Sequence, residues 1–307
     1  MRVLRTPDDC FADLPDFDYE PHYANVDEPV RRDGRPDQLR IAYVDEGPRD
    51  GPVVVLMHGE PTWSFLYRCL IPVLTRARLR VIAPDLVGFG RSDKPTEIAD
   101  HTYSRHVEWM RAVLLDALDL RDITLVGHDW GGLIGLRIVA EHPDRFARVV
   151  ATNTGLPDGR HRMPDSWWRF RDFVAGTPDL PVGFLVGRGC RTELPPEVVA
   201  AYDAPFPAPE YKAGPRAMPD LIPQSTDNPE TLAQERAWAS LARFAKPFLT
   251  AYSDSDPITA GVDTAMAARI AGAAGQPHRR IAGGGHFVQE DCGPALAAVI
   301  VDFVGAP

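Results

Sequence analysis

The sequence predicts an α/β fold: a mainly parallel β-sheet with helices on both faces and a helical segment inserted late in the chain. Three observations carry this expectation. Short apolar runs bounded by turn residues recur along the chain, separated by helical patterns. Most of these runs are continuous rather than alternating, as strands covered on both faces are. Between about residues 156 and 235 the rhythm breaks, and it resumes only at Lys246-Pro247-Phe248.

The elements follow in order. Residues 39–44 alternate and read as an early, antiparallel strand. Residues 53–57 are continuous and β-branched, the pattern of a strand buried on both sides. Residues 80–83, 123–126, 147–151 and 248–252 read likewise. Residues 101–118 place Val107, Met110, Val113, Leu114 and Ala117 at helical spacing. Residues 130–141 form the next helix, and residues 294–303 a late one. The interrupted stretch is rich in Pro, Trp and Arg. Its Trp167, Trp168, Phe170, Phe173, Phe184 and Leu185 carry too much apolar surface for a disordered linker. The expected organisation is a core domain of residues 1–155 and 236–307 and a helical cap of residues 156–235 packed over the strand ends.

Bulk properties narrow the function. A chain of 307 residues, 44% hydrophobic and 25% charged, has the length and composition of a globular enzyme with a sizeable core. A net charge of −10 disfavours nucleic acid and anionic membranes as partners. The four cysteines, Cys10, Cys69, Cys190 and Cys292, have no metal-type spacing, so free thiols and no metal are expected. The first residues lack an apolar signal core and no run is long enough to span a bilayer, which leads to an expectation of a cytoplasmic setting. Nothing demands more than a monomer.

The strongest motif is Val126-Gly127-His128-Asp129-Trp130-Gly131-Gly132, directly after a strand and before a helix. It has the form of a Gly-x-nucleophile-x-Gly elbow, the turn of the α/β-hydrolase fold, with Asp129 at the tip. An unperturbed aspartate side chain titrates at about pH 3.9 and is ionised at neutral pH, so it attacks without a base. Attack on an ester or amide would give a high-energy anhydride. Attack on a saturated carbon bearing a leaving group gives an alkyl ester that water can cleave. The residue type therefore points to alkyl halides or epoxides.

The partners are legible too. His286, in Ile281-Ala282-Gly283-Gly284-Gly285-His286-Phe287, follows a late strand and precedes the last helix, the place of the general base. Two carboxylates, Asp254 and Asp256, follow the strand at residues 248–252, and one of them should orient that histidine. In His58-Gly59-Glu60-Pro61-Thr62-Trp63, after the strand at residues 53–57, the Glu60 N–H is a candidate oxyanion donor, with the Trp130 N–H as its companion. Asp85 and the Gly88-Phe89-Gly90-Arg91-Ser92 turn read as scaffold.

Taken together, these residues resemble a haloalkane dehalogenase, and the resemblance runs over nearly the whole chain. It includes Tyr43-Val44-Asp45-Glu46-Gly47-Pro48, the loop from His58 to Trp63, Pro84-Asp85-Leu86-Val87-Gly88-Phe89-Gly90-Arg91-Ser92, the elbow, Tyr202-Asp203-Ala204-Pro205-Phe206-Pro207 and Gly285-His286-Phe287-Val288-Gln289-Glu290. The resemblance selects Asp256, through Asp256-Pro257-Ile258, as the acid, leaving Asp254 to cap the turn. It implies a subfamily with two halide-binding tryptophans: Trp130 and one from the insert. Trp168-Arg169-Phe170 suits that position, and Trp167 is the alternative. The implied reaction needs a small apolar halogenated substrate and water, releases alcohol and halide, and uses no cofactor. An epoxide hydrolase is the nearest rival; it needs cap tyrosines, for which Tyr202 and Tyr211 are the candidates. A haloacid dehalogenase would want arginines beside the nucleophile, where this chain has Trp130, and a catalytically idle ligand-binding protein would not need Asp129, His286 and Asp256 together.

Overall fold

A computed structural model describes residues 1–27 and 38–305. The strands are β1 (Val3–Leu4), β2 (His22–Asp27), β3 (Gln38–Glu46), β4 (Val53–Met57), β5 (Arg80–Pro84), β6 (Lys94–Pro95), β7 (Ile123–His128), β8 (Phe146–Thr152), β9 (Phe248–Ser253) and β10 (Arg279–Ile281). The helices are α1 (Ile71–Arg76), α2 (Tyr103–Arg111), α3 (Asp129–Glu141), α4 (Asp165–Gly176), α5 (Val182–Gly189), α6 (Pro196–Asp203), α7 (Ala213–Leu221), α8 (Thr231–Leu241), α9 (Val262–Arg269) and α10 (Val288–Gly305).

The main sheet runs in the order β10-β9-β8-β7-β4-β5-β3-β2. From β10 to β5 all pairs are parallel, whereas β3 pairs antiparallel with both β5 and β2. The apolar runs explain the centre: β7 is buried along its whole length, and β4 at all but its first residue, because helices cover both faces. Since β4, β7, β8, β9 and β10 are parallel, the loops after them emerge at one edge of the sheet, where ligands of open α/β sheets bind.

Two expected helices differ in detail. The one expected over residues 101–118 starts at Tyr103, because the Thr102 side chain accepts from the Arg105 N–H at 3.2 Å and caps it. Its second half widens into a π-helical turn, Ala112–Ala117, where the Leu118 N–H reaches back to the Val113 carbonyl. The late helix begins earlier than expected, at Val288, and is kinked at Cys292, two residues before Pro294, which has no N–H to continue the ladder.

Between β8 and β9 the chain contains helices α4 to α8 and no strand among the described residues. The boundary expected at residue 235 falls inside α8, which packs on α3. Arg137 of α3 donates to the Gln234 side chain at 3.2 Å, and the Trp238 indole donates to the Leu156 carbonyl at 2.8 Å, so α8 also holds the start of the inserted segment.

Candidate active site

Asp129 stands at the turn from β7 into α3 with φ of 48°, a left-handed conformation that costs a non-glycine residue about 1–3 kcal/mol. Its surroundings hold it there. The Asp129 N–H donates to the Asn153 carbonyl at 3.2 Å, and the Thr154 hydroxyl donates to the Asp129 carbonyl at 2.7 Å. The close approach explains the glycines. A Cβ at Gly131 would stand 2.1 Å from the Met57 carbonyl oxygen, and one at Gly59 would stand 2.3 Å from Asp129 Oδ1.

The carboxylate has a partner on each side. Oδ1 accepts from the Glu60 N–H at 2.9 Å, and Oδ2 lies 3.6 Å from Nε2 of His286. Burial works against the Asp129 charge. The hydrogen bond and charge of His286, with His128 and the Trp130 N–H, outweigh it and leave the carboxyl below its ordinary pKa.

His286 sits after β10, and its Nδ1–H donates to Asp256 Oδ2 at 3.0 Å. Asp256 is nearly buried and also accepts from the Ile258 N–H at 2.9 Å and the Thr259 hydroxyl at 2.5 Å. Burial opposes its charge too, but the imidazole and these donors hold its pKa down to about 2. Between two carboxylates, the His286 imidazole is held well above its usual range despite its own burial. Asp254 is instead exposed and accepts from the Gly283 N–H at 3.1 Å, closing the turn. Asp129, His286 and Asp256 are thus brought together, although residues 129 and 286 are far apart in sequence, because β7, β8, β9 and β10 are adjacent.

The loop after β4 is fixed by His58, whose burial keeps the ring neutral. Its Nδ1–H donates to the Gly59 carbonyl at 2.9 Å, and its Nε2 accepts from the Leu86 N–H at 2.9 Å. Asp85 is scaffold as expected, accepting from the Ser64 and Arg91 N–H groups. The Glu60 side chain is buried as well. Burial, and then the charge of Asp129, push its carboxyl well above the usual range.

A cavity of about 880 Å³ opens above these residues, within the range of ligand pockets. Among the described residues its wall includes Asp129, His286, Trp130, Trp167, Leu133 and Phe170, but neither Trp168 nor any tyrosine. Trp130 is buried with its ring tilted against Tyr103. The two insert tryptophans separate: Trp167 is 3% exposed and faces the cavity, while Trp168 lies between the guanidiniums of Arg162 and Arg171, at 5.7 and 5.4 Å. Of the two candidates for the second indole, Trp168 and Trp167, Trp167 is the one on the cavity wall, while the Trp168 Nε1 is buried without a hydrogen-bond partner. Successive residues of a helix point about 100° apart, which puts the two indoles on different faces of α4. Tyr202 and Tyr211 do not reach the cavity wall either; Tyr202 donates its hydroxyl to Glu290. Among the described residues no cluster of His, Cys, Asp or Glu could hold a metal ion, and no helix is long and apolar enough to cross a membrane.

One positioning residue was not foreseen. Asn153, fully buried after β8, donates to the carbonyls of Gly285 and His286 at 2.9 Å and accepts from the Ser253 N–H at 2.9 Å. It ties the ends of β8 and β9 to the histidine loop. The available signal was a polar run, Thr152-Asn153-Thr154, directly after an apolar strand.

Residues 52–291 match the alpha/beta hydrolase fold family. The chain is 52% identical over 304 residues to a haloalkane dehalogenase of Psychrobacter cryohalolentis, covering 99% of this chain and 98% of that one. It is 49% identical over 306 residues to a haloalkane dehalogenase of Mycobacterium marinum, covering 99% and 100% of the two chains. Among solved structures it is similar to the tetrameric haloalkane dehalogenase DpaA of Paraglaciecola agarilytica, with a TM-score of 0.85, 35% identity and 97% of each chain covered.

Proposed function

The chain belongs to the haloalkane dehalogenases of the α/β-hydrolase fold, and from that premise we propose that Asp129 displaces halide from a haloalkane to form an alkyl ester, which water then hydrolyses. The observation that carries this assignment of roles is the pairing of the two Asp129 oxygens. With Oδ1 held by the Glu60 N–H, Oδ2 is the atom left to attack.

In the first step Oδ2 attacks the carbon bearing the halogen, in line with the departing halide. The charge grows on the halogen inside a largely apolar cavity. Indole N–H groups suit it because they donate and cannot accept. Trp130 and Trp167 are the proposed pair, which is the two-tryptophan arrangement of the subfamily.

In the second step His286 Nε2 takes a proton from water as its oxygen adds to Cγ of the ester. The resulting oxyanion is held by the N–H groups of Glu60 and Trp130. Collapse expels the alcohol with the former Oδ2 and leaves an oxygen from water in Asp129. The charge state of His286 follows the cycle. Two flanking carboxylates favour the imidazolium, and esterification of Asp129 removes one of them. The ring therefore becomes a better proton acceptor when the base is needed.

Residues 156–235 are proposed as a cap that closes the apolar cavity over the core of residues 1–155 and 236–307. The absence of tyrosine from the cavity wall among the described residues disfavours an epoxide hydrolase, which must protonate a ring-opened oxygen. A monomer remains the simplest assembly, although DpaA is described as tetrameric, and light scattering in solution decides it. Single turnover in ¹⁸O-water tests the mechanism. Label is expected in Asp129 and not in the first-turnover alcohol. Label in the alcohol means direct displacement by water and refutes the covalent scheme. Halide release from bromoalkanes, run beside styrene oxide, tests the substrate class.

A further inference from the structure

A carbonyl at the end of a helix has lost its intrahelical partner and must find another. Helix α5 ends at Gly189, and the Gly189 carbonyl accepts from the His286 N–H at 2.8 Å. The His286 carbonyl is held as well, accepting from the Asn153 amide and the His128 Nε2–H, both at 2.9 Å. The main chain of the residue read as the base is thus fixed on one side by the core and on the other by the inserted segment. The same helix forms part of the cavity wall, through Leu185, Arg188 and Gly189.

Asp291, in the first turn of α10, keeps that contact closed. A carboxylate in a first turn is ordinarily explained by the positive end of its helix. This one reaches off its own helix instead. Its Oδ2 accepts from the Gly285 N–H at 2.7 Å. Its Oδ1 accepts from the Thr192 N–H at 2.8 Å and from the Thr192 hydroxyl at 2.6 Å, and the Arg191 nitrogen stands 3.0 and 2.9 Å from the two oxygens. Four donors therefore converge on one side chain: three from the insert just beyond α5, and one from the residue before His286. The two segments meet backbone to backbone, since a Cβ at Gly285 would stand 2.4 Å from the Gly189 carbonyl oxygen.

We propose that Asp291 is a positioning residue for the base: it binds the chain after α5 to the histidine loop, so that the Gly189 carbonyl and the Gly285 N–H together set where the His286 ring stands. The proposal rests on the reading of Asp129 as nucleophile and His286 as base given above. Both carboxylate oxygens are needed. An amide has one acceptor oxygen, so Asp291→Asn keeps the shape of the side chain but must turn an NH2 group toward at least one of the donors. The consequence falls unequally on the two steps. Alkylation uses Asp129, which is held by the Glu60 N–H, the Asn153 carbonyl and the Thr154 hydroxyl, none of them a partner of Asp291. Hydrolysis needs His286 Nε2 in one place relative to the ester and its water, and a displacement of about 1 Å in such a group can cost roughly 10²-fold in rate. The inserted segment then does more than line the cavity, because it supplies a contact that places the base.

Rapid-quench kinetics on a bromoalkane reads the two steps apart: bromide in the first turnover reports alkylation, and alcohol reports hydrolysis. In Asp291→Asn alkylation is expected within about twofold of the parent, while hydrolysis slows roughly 10- to 100-fold and the ester accumulates. Asp291→Glu keeps the charge and both oxygens, so its hydrolysis should lie between those of the parent and Asp291→Asn. Should Asp291→Asn not fold, Asp291→Glu carries the same test, with hydrolysis slowed about threefold or more against unchanged alkylation. Thr192→Val removes one donor, leaves the Gly285 bond and should keep both steps within about twofold. A merely structural role would slow both steps alike, or lower the melting temperature with hydrolysis unchanged, and either result overturns the proposal. Hydrogen exchange gives a reading that needs no turnover. Peptides spanning residues 189–192 and 285–286 should both exchange about tenfold faster in Asp291→Asn, and unchanged exchange in either one overturns the proposal. A parent enzyme that releases no halide from any bromoalkane would instead bring down the reading of the site, leaving the exchange result to stand by itself.

Discussion

Replacing Trp167 and Trp168 by phenylalanine, one at a time, separates two adjacent indoles that sequence alone does not distinguish. Trp167 faces the cavity with Trp130, whereas Trp168 lies between Arg162 and Arg171. Trp167→Phe removes one of the two N–H groups proposed to hold the departing halide. A hydrogen bond to a charged partner contributes about 1.5–3 kcal/mol. At about 1.4 kcal/mol per tenfold, the alkylation step should slow by roughly 10- to 150-fold. Trp168→Phe keeps an aromatic face under the exposed Arg162 and half-buried Arg171 guanidiniums, whose attraction is about 0.5–1 kcal/mol each, so its cost should fall on stability and stay within about 2 kcal/mol. Its alkylation rate should remain within about twofold of the parent, since no cavity group changes. Stopped-flow bromide release gives the rates, and bromide titration of intrinsic fluorescence gives the affinity of the halide site. The reasoning is refuted if Trp168→Phe loses the larger factor while Trp167→Phe keeps both its rate and its bromide affinity.

Three further outcomes follow from the same geometry. His286→Gln should still release one equivalent of halide, with hydrolysis slowed by about 10²- to 10⁴-fold, and peptide mass spectrometry should find the alkyl group on Asp129. The two steps should also respond differently to acid. Asp129 is held below its ordinary pKa, so alkylation should persist at pH values below the usual carboxylate range of about 4. Hydrolysis needs His286 unprotonated in the ester, where Asp256 still favours its protonated form, so it should fail at a higher pH than alkylation does, and at pH 5 to 6, where even a free imidazole of pKa about 6.5 is mostly protonated, more ester should accumulate than at pH 8. Gly59→Ala brings a Cβ to within 2.3 Å of Asp129 Oδ1. Overpacking of this kind costs about 1–3 kcal/mol, and here the yielding atom is the nucleophile. Activity should therefore fall much further than the melting temperature, as parallel kinetic and calorimetric measurements would show.

What could be read from the chain in advance follows from how local each signal is. Strands β4, β7, β8 and β9 were visible because burial on both faces turns a strand into an unbroken apolar run, which needs no knowledge of neighbours. The elbow was visible because its glycines answer contacts only a few atoms away, such as that of Gly131 with the Met57 carbonyl. β2 was not anticipated: it is an edge strand whose inward side chains are only Ala24 and Val26, too few to mark an alternation. Asn153 escaped for a different reason. Its three partners, Ser253, Gly285 and His286, lie more than ninety residues away, and the polar triplet that holds it looks like an ordinary turn.

The choice between Trp167 and Trp168 shows where local reading ends. Both are large, both suit a partly buried helix, and they are neighbours in sequence. Which one faces the cavity depends on how α4 rolls against the segments beneath it, a rotation fixed by packing across the cap. A one-residue shift on a helix turns a side chain through about 100°, so the same composition can present an indole N–H to a departing anion or bury it under arginines. The chemistry of this site therefore divides into two kinds of information. The proposed acid, base and backbone donors sit on sheet-edge loops whose positions follow from strand order. The indole proposed to complete the anion site instead rides on α4, whose roll only the packing of the inserted helices sets.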